Sequence, residues 1–194
     1  MGKKSKHLWL DLFACFLIPA YTLLFAGSVE WFGTNFSVIA VTGPDHYRGF
    51  LWWGILAGGY FFVMLNRLAA PLPRRWARVW VRLLALCAVL ALSYALAIPY
   101  LPRYFPKYAA LHVALAAGAC VLLMVNLQFI ILFYRRRDPE RWAGAVRFCW
   151  FMAAGCVLLF LIPRMVSTAL EVFFTTSAAW LTRKVWLLQQ ETRR

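Results

Sequence analysis

Apolar residues in this chain run in long uninterrupted stretches, separated by short polar clusters that hold most of its charge. A helix rises about 1.5 Å per residue, so crossing the hydrocarbon core of a bilayer takes about 20 mostly apolar residues. Five stretches approach or exceed that length: residues 8–26, 50–65, 79–98, 109–134 and 143–162. Their ends carry clear stop signals. Pro99 and Pro102 close the third, Arg135, Arg136 and Arg137 close the fourth, and Pro163 closes the fifth. Pro19 lies inside the first and predicts a kink there, of the kind that neighbouring helices tolerate.

A sixth segment, residues 165–186, is harder to assign because it contains Ser167, Thr168, Glu171, Thr175, Thr176 and Ser177. It is either a sixth span or an amphipathic helix lying on the surface. Charge placement favours the span, because cytoplasmic flanks collect Lys and Arg. With six spans and both termini inside, seventeen of the 21 basic residues fall on one side. These are Lys3, Lys4, Lys6, Arg67, Arg74, Arg75, Arg78, Arg82, Arg135, Arg136, Arg137, Arg141, Arg147, Arg183, Lys184, Arg193 and Arg194. Arg48, Arg103, Lys107 and Arg164 remain outside. With five spans the last four of the seventeen would change sides and the asymmetry would shrink.

The expectation is therefore an all-α polytopic membrane bundle of six transmembrane helices, with five plus a C-terminal amphipathic helix as the alternative. It forms a single integral membrane domain over residues 1–194, in the cell membrane, with both termini cytoplasmic. Its longest loop, residues 27–49, is extracytoplasmic. That loop holds an apolar patch, Asn35–Val41, too short to span. Asn35-Phe36-Ser37 matches the N-glycosylation triplet, a common chance match.

Composition agrees. Hydrophobic residues make up 63% and charged residues 14%, against roughly 45–50% and about 25% in soluble domains. The net charge of +14 is explained by loops that fix topology and attract anionic lipid headgroups, so nucleic acid is not an expected partner. A homo-oligomer or a membrane partner subunit is compatible with the pattern. The five cysteines all fall in apolar runs without a C-x-x-C pair, which suits small buried hydrophobes better than a metal or redox site. No nucleotide-binding, metalloprotease or serine-hydrolase motif is present. No cofactor is expected, and any enzyme here needs an unfamiliar site.

An ionisable side chain within a membrane segment is costly unless paired or wetted, so each one is a site candidate. On a helical wheel Arg164, Ser167, Thr168, Glu171, Thr175, Ala178 and Thr182 form one polar stripe. His112, Ala116, Ala119, Leu123 and Asn126 share a face of the fourth span, and His112 and Glu171 lie at similar depth. They can meet if the fourth and sixth spans pack together. Asp11, near the inner end of the first span, is expected to pair with a nearby Lys or Arg. Gly54 and Gly58 predict close helix contact.

The candidate ligand-binding residues are Glu171, His112, Arg164, Thr168, Thr175 and Asn126, with Glu30, His46 and Trp31 from the long loop. Together they suit an outward-facing pocket for a small solute, bound or transported. In size, six-span layout and lack of soluble domains the chain resembles the small substrate-binding subunits of vitamin importers. It departs from them in having no A-x-x-x-A pattern in its first span. A non-transporting sensor, lipid-interacting factor or assembly subunit fits the same features. A lipid-modifying enzyme would require His112 or His46 within hydrogen-bond reach of a carboxylate or hydroxyl, beside a cavity open to the bilayer.

Overall fold

The structure is a computed structural model and describes residues 8–192. Lys3, Lys4, Lys6, Arg193 and Arg194, which enter the charge asymmetry, lie outside the described residues. The described residues are mostly helical and include no strand. We number the helices α1 (Leu8–Ala26), α2 (Phe36–Ala40), α3 (Pro44–Ala69), α4 (Arg75–Ala97), α5 (Pro106–Arg135), α6 (Pro139–Leu161) and α7 (Thr168–Thr192). Helices α1, α3, α4, α5 and α6 are each long and apolar enough to cross a membrane. Large apolar side chains such as Leu24, Trp52, Val79 and Trp150 cover the exterior. Water would not tolerate so much apolar surface, whereas lipid would.

The long helices run alternately up and down, and contacts at the two ends fix that order. At one end α7 begins against the loop between α1 and α3, with the Thr168 amide donating to the Thr34 carbonyl at 2.7 Å. At the other end Gln189 Nε2 donates to the Leu68 carbonyl at 3.0 Å and to the Tyr134 hydroxyl at 2.9 Å. We call these the loop end and the basic end, because Arg67, Arg74, Arg75, Arg78 and Arg135–Arg137 flank the second.

Pro19 follows a change in helix geometry. The turn before it, Phe13–Leu17, is π-helical, and the Ile18 amide donates to the Phe13 carbonyl five residues back. Proline has no N–H and its ring crowds the carbonyl four residues earlier; a widened turn absorbs both effects. Gly54 and Gly58 bring α3 close to α4. A Cβ on Gly54 would run into Leu96, and one on Gly58 would come within 2.9 Å of Leu92. Asp11 pairs with Arg183, Nε to Oδ1 at 2.6 Å, joining α1 to α7.

Helix α7 explains its own ambiguity. It is less apolar than the other long helices, yet it packs against α1, α3, α5 and α6. Between Thr168 and Glu191 only Trp180, Lys184 and Glu191 are exposed. An amphipathic helix lying on a surface would leave its polar face open, but here the polar face is covered. Apolarity is required of surfaces that meet lipid; a helix enclosed by its neighbours needs satisfied polar groups instead. Thr182 donates to the Ala178 carbonyl at 2.7 Å, and the Ala179 carbonyl accepts from the Tyr60 hydroxyl at 3.4 Å. At 25 residues α7 is about 37 Å long, enough to run the height of the bundle.

Candidate functional site

The loop end is organised around α2, a five-residue helix inside the loop. Asn35 caps it, its Oδ1 accepting from the Val38 amide at 2.9 Å. Phe36 is fully buried between Phe25 and Trp53, both edge-on with ring centroids 5.1 Å away. Trp53 in turn stacks on Phe50 and donates from Nε1 to Thr22 Oγ1. An apolar patch too short to span has thus become a plug with an aromatic anchor.

Polar contacts tie the plug to the bundle. The Phe36 amide donates to Glu171 Oε2 at 2.6 Å. Ser37 Oγ lies 2.6 Å from His112 Nε2, and His112 Nδ1 lies 2.8 Å from the Ile98 carbonyl oxygen. The Ala169 amide donates to the Trp31 carbonyl, and the Thr168 amide and hydroxyl both donate to Thr34. Loop carbonyls therefore satisfy amides at the start of α7 that a helix cannot satisfy for itself.

Beneath the plug lies a cleft of about 510 Å³. Helices α5 and α6 form its walls and α7 its floor. The walls are apolar, and several wall residues face outward, including Val121 at 59% exposure and Val157 at 56%. The cleft therefore opens sideways, toward where lipid would lie. Its polar groups gather at the loop end: Asn35, Ser37, Tyr100, His112, Glu171 and Thr175. Glu171 is the sole carboxyl residue lining it among the described residues. Comparison of the chain with protein families, curated proteins and solved structures finds no match.

The site must accordingly be read from its own geometry. Glu171, His112 and Thr175 line the cleft, and the first two are joined through consecutive residues of α2, Phe36 and Ser37. Thr168 and Trp31 belong to the latch between α7 and the loop, Trp31 through its backbone. Asn126 is buried between α5 and α4, where its Nδ2 donates to the Val81 carbonyl at 2.9 Å, and it does not line the cleft. Arg164 is not on the polar stripe, because α7 starts at Thr168 and Arg164 sits in the preceding turn at φ 54°. It is exposed, and the Glu171 contact goes to the Phe36 amide instead.

Glu30 and His46 line a separate vestibule of about 570 Å³ beside the loop. There the Thr42 hydroxyl donates to the Ile39 carbonyl, so His46 Nδ1, 2.5 Å from the Thr42 oxygen, is the donor. Ser37 is not among the sequence candidates. The Asn-x-x-Val cap around α2 was a local signal for Asn35, but nothing local links Ser37 to a histidine 75 residues away. Among the described residues no three His, Cys, Asp or Glu side chains gather as a metal site.

Proposed function

We propose that this chain is a multi-pass membrane protein that binds one amphiphile from the bilayer. The apolar chain lies in the cleft between α5, α6 and α7, and the head lies beneath the plug. The observation that carries this reading is the cleft itself: apolar walls, a sideways opening and one polar end. Its volume is within the roughly 300–1,000 Å³ of small-molecule sites and suits a single hydrocarbon chain. A free polar solute would find polar partners only at the capped end, so the wall chemistry favours an amphiphile over a transported solute. With Glu171 as the lining carboxyl group, the favoured head donates hydrogen bonds or carries positive charge.

In this reading the loop end faces outward. The basic end lies at the cytoplasmic face of the cell membrane, where its arginines meet anionic headgroups. A fluorescent protein that matures only in the cytoplasm, fused after Arg194, is expected to fluoresce. A dark fusion with an active periplasmic reporter at the same point would reverse the orientation.

The cleft is tested with a monoacylglycerol carrying a diazirine in its chain. After irradiation of the protein in nanodiscs, crosslinks are expected on peptides of α5 and α6 that line the cleft. Ala117→Phe, at the exposed rim of the cleft, should cut that labelling about tenfold, as expected from lost binding of about 1.4 kcal/mol. Val79→Phe, on the outer face of α4, should not. Equal labelling of both variants would show ordinary contact with bulk lipid and remove the reading.

A further inference from the structure

We propose that Ser37 and His112 are a nucleophile and its general base, hydrolysing the acyl ester of a single-chain amphiphile held in the cleft. This rests on the cleft being an amphiphile site, and the experiment below separates the two.

The partners of His112 assign its tautomer. Its Nδ1 faces the Ile98 carbonyl oxygen at 2.8 Å, and that oxygen can only accept, so Nδ1 carries the proton. In the neutral ring Nε2 is then the lone-pair nitrogen. It lies 2.6 Å from Ser37 Oγ, so the serine hydroxyl donates to it. A nucleophile held by a base, with the base held by a third group, is the arrangement that activates serine. A carbonyl in the third position fixes the tautomer and ring orientation, and stabilises the imidazolium less than a carboxylate would.

The surroundings suit the chemistry. Ser37 is 8% exposed and His112 2%, yet both line the cleft. They sit at its polar end, where the junction of head and chain would lie, and that junction is where an amphiphile carries its ester. Asn35, two residues before Ser37, also lines the cleft. Its Oδ1 is held by the Val38 amide, so in this proposal its NH₂ is the group that donates to a developing oxyanion. Anchoring the plug does not require the Ser37–His112 contact. Three other attachments already do so: Glu171 to Phe36, Thr168 to Thr34 and Ala169 to Trp31.

In the reaction Ser37 Oγ bonds to the acyl carbonyl carbon as its proton passes to His112 Nε2. Collapse of the tetrahedral species breaks the ester C–O bond, and His112 returns the proton to the departing alcohol oxygen. Water, deprotonated by His112, then attacks the acyl-Ser37 carbon, and Ser37 leaves as its hydroxyl. The net change is ester and water to alcohol and carboxylic acid, with no change of oxidation state.

The test uses the full chain in nanodiscs with three measurements. These are labelling by a fluorophosphonate, which phosphonylates activated serines, fatty-acid release from monoacylglycerol, and crosslinking by the diazirine monoacylglycerol. The expected result is a phosphonylated peptide containing Ser37 in the wild-type chain, together with fatty-acid release. Release should be lost in Ser37→Ala and reduced at least about 100-fold in His112→Gln, the range general-base removal gives, while both variants keep their crosslinks. Because the label is mapped on the wild-type chain, the result does not depend on a variant folding. An unlabelled Ser37, an absence of release, or release that survives Ser37→Ala overturns the proposal. If crosslinking in the cleft persists in that case, the amphiphile site stands without the chemistry; if it is absent too, both fall.

Discussion

Replacing Glu171 with alanine is expected to loosen the plug and speed exchange of the Phe36 amide about 10- to 100-fold. The Phe36 amide donates to Glu171 Oε2 at 2.6 Å, and the rest of Phe36 is enclosed by aromatic rings. Removing the acceptor leaves a buried N–H without a partner, at a cost of about 1–3 kcal/mol. That cost falls on the local opening of the loop, and each 1.4 kcal/mol is about a tenfold rise in exchange. Glu171→Gln keeps a carbonyl oxygen in the same place and should recover most of the protection. Amide exchange followed by mass spectrometry over residues 30–43 reads the effect, with the α3–α4 hairpin as internal reference. Unchanged protection of Phe36 in the alanine variant would mean that the aromatic box and the remaining loop contacts hold the plug without Glu171.

Replacing Trp142 with alanine is expected to have the largest effect on global stability, about 3–5 kcal/mol. Its side chain is fully buried at the start of α6 and stacks on Tyr134 of α5, ring centroids 5.0 Å apart and 11° from parallel. The Tyr134 hydroxyl accepts from Gln189 of α7, so one ring supports the meeting point of three helices at the basic end. In a chain of this size the loss corresponds to roughly 6–20 °C in the unfolding midpoint. The Trp142 indole N–H has no hydrogen-bond partner among the described residues, so Trp142→Phe sacrifices volume and no bond, and should retain most of the stability. Thermal unfolding of the purified variants checks both. A phenylalanine variant as weak as the alanine one would point to a hydrogen bond rather than packing.

The five apolar helices are legible in the sequence because lipid-facing surface imposes one rule on every residue that meets it. Their ends are legible because proline and arginine clusters stop them. Helix α7 escapes the same reading, since enclosure replaces the demand for apolarity with a demand for hydrogen-bond partners. Those partners, such as Leu68 and Tyr134 for Gln189, are far away in the chain. Glu171 and His112 could be recognised as ionisable groups at matching depth. What could not be read is that they meet through α2 rather than directly. Hydropathy treats Phe36–Ala40 as a short apolar patch and says nothing of a helix that lays Phe36 in a box and Ser37 against a histidine.

The low apolarity of α7 bears on how the molecule is made. A segment this polar is a poor substrate for lateral release from a translocon, which favours Leu-, Ile-, Phe- and Val-rich helices and penalises charged ones. Helices α1 to α6 precede it in the chain and are synthesised first. They leave a seam lined by Tyr60, Asp11, Leu68 and Tyr134, whose hydrogen-bonding groups are those α7 uses. Insertion of α7 is therefore expected to be a docking step onto a template already in place. Lesions in that seam should surface as quality-control degradation during biogenesis, before any effect on the finished protein is seen.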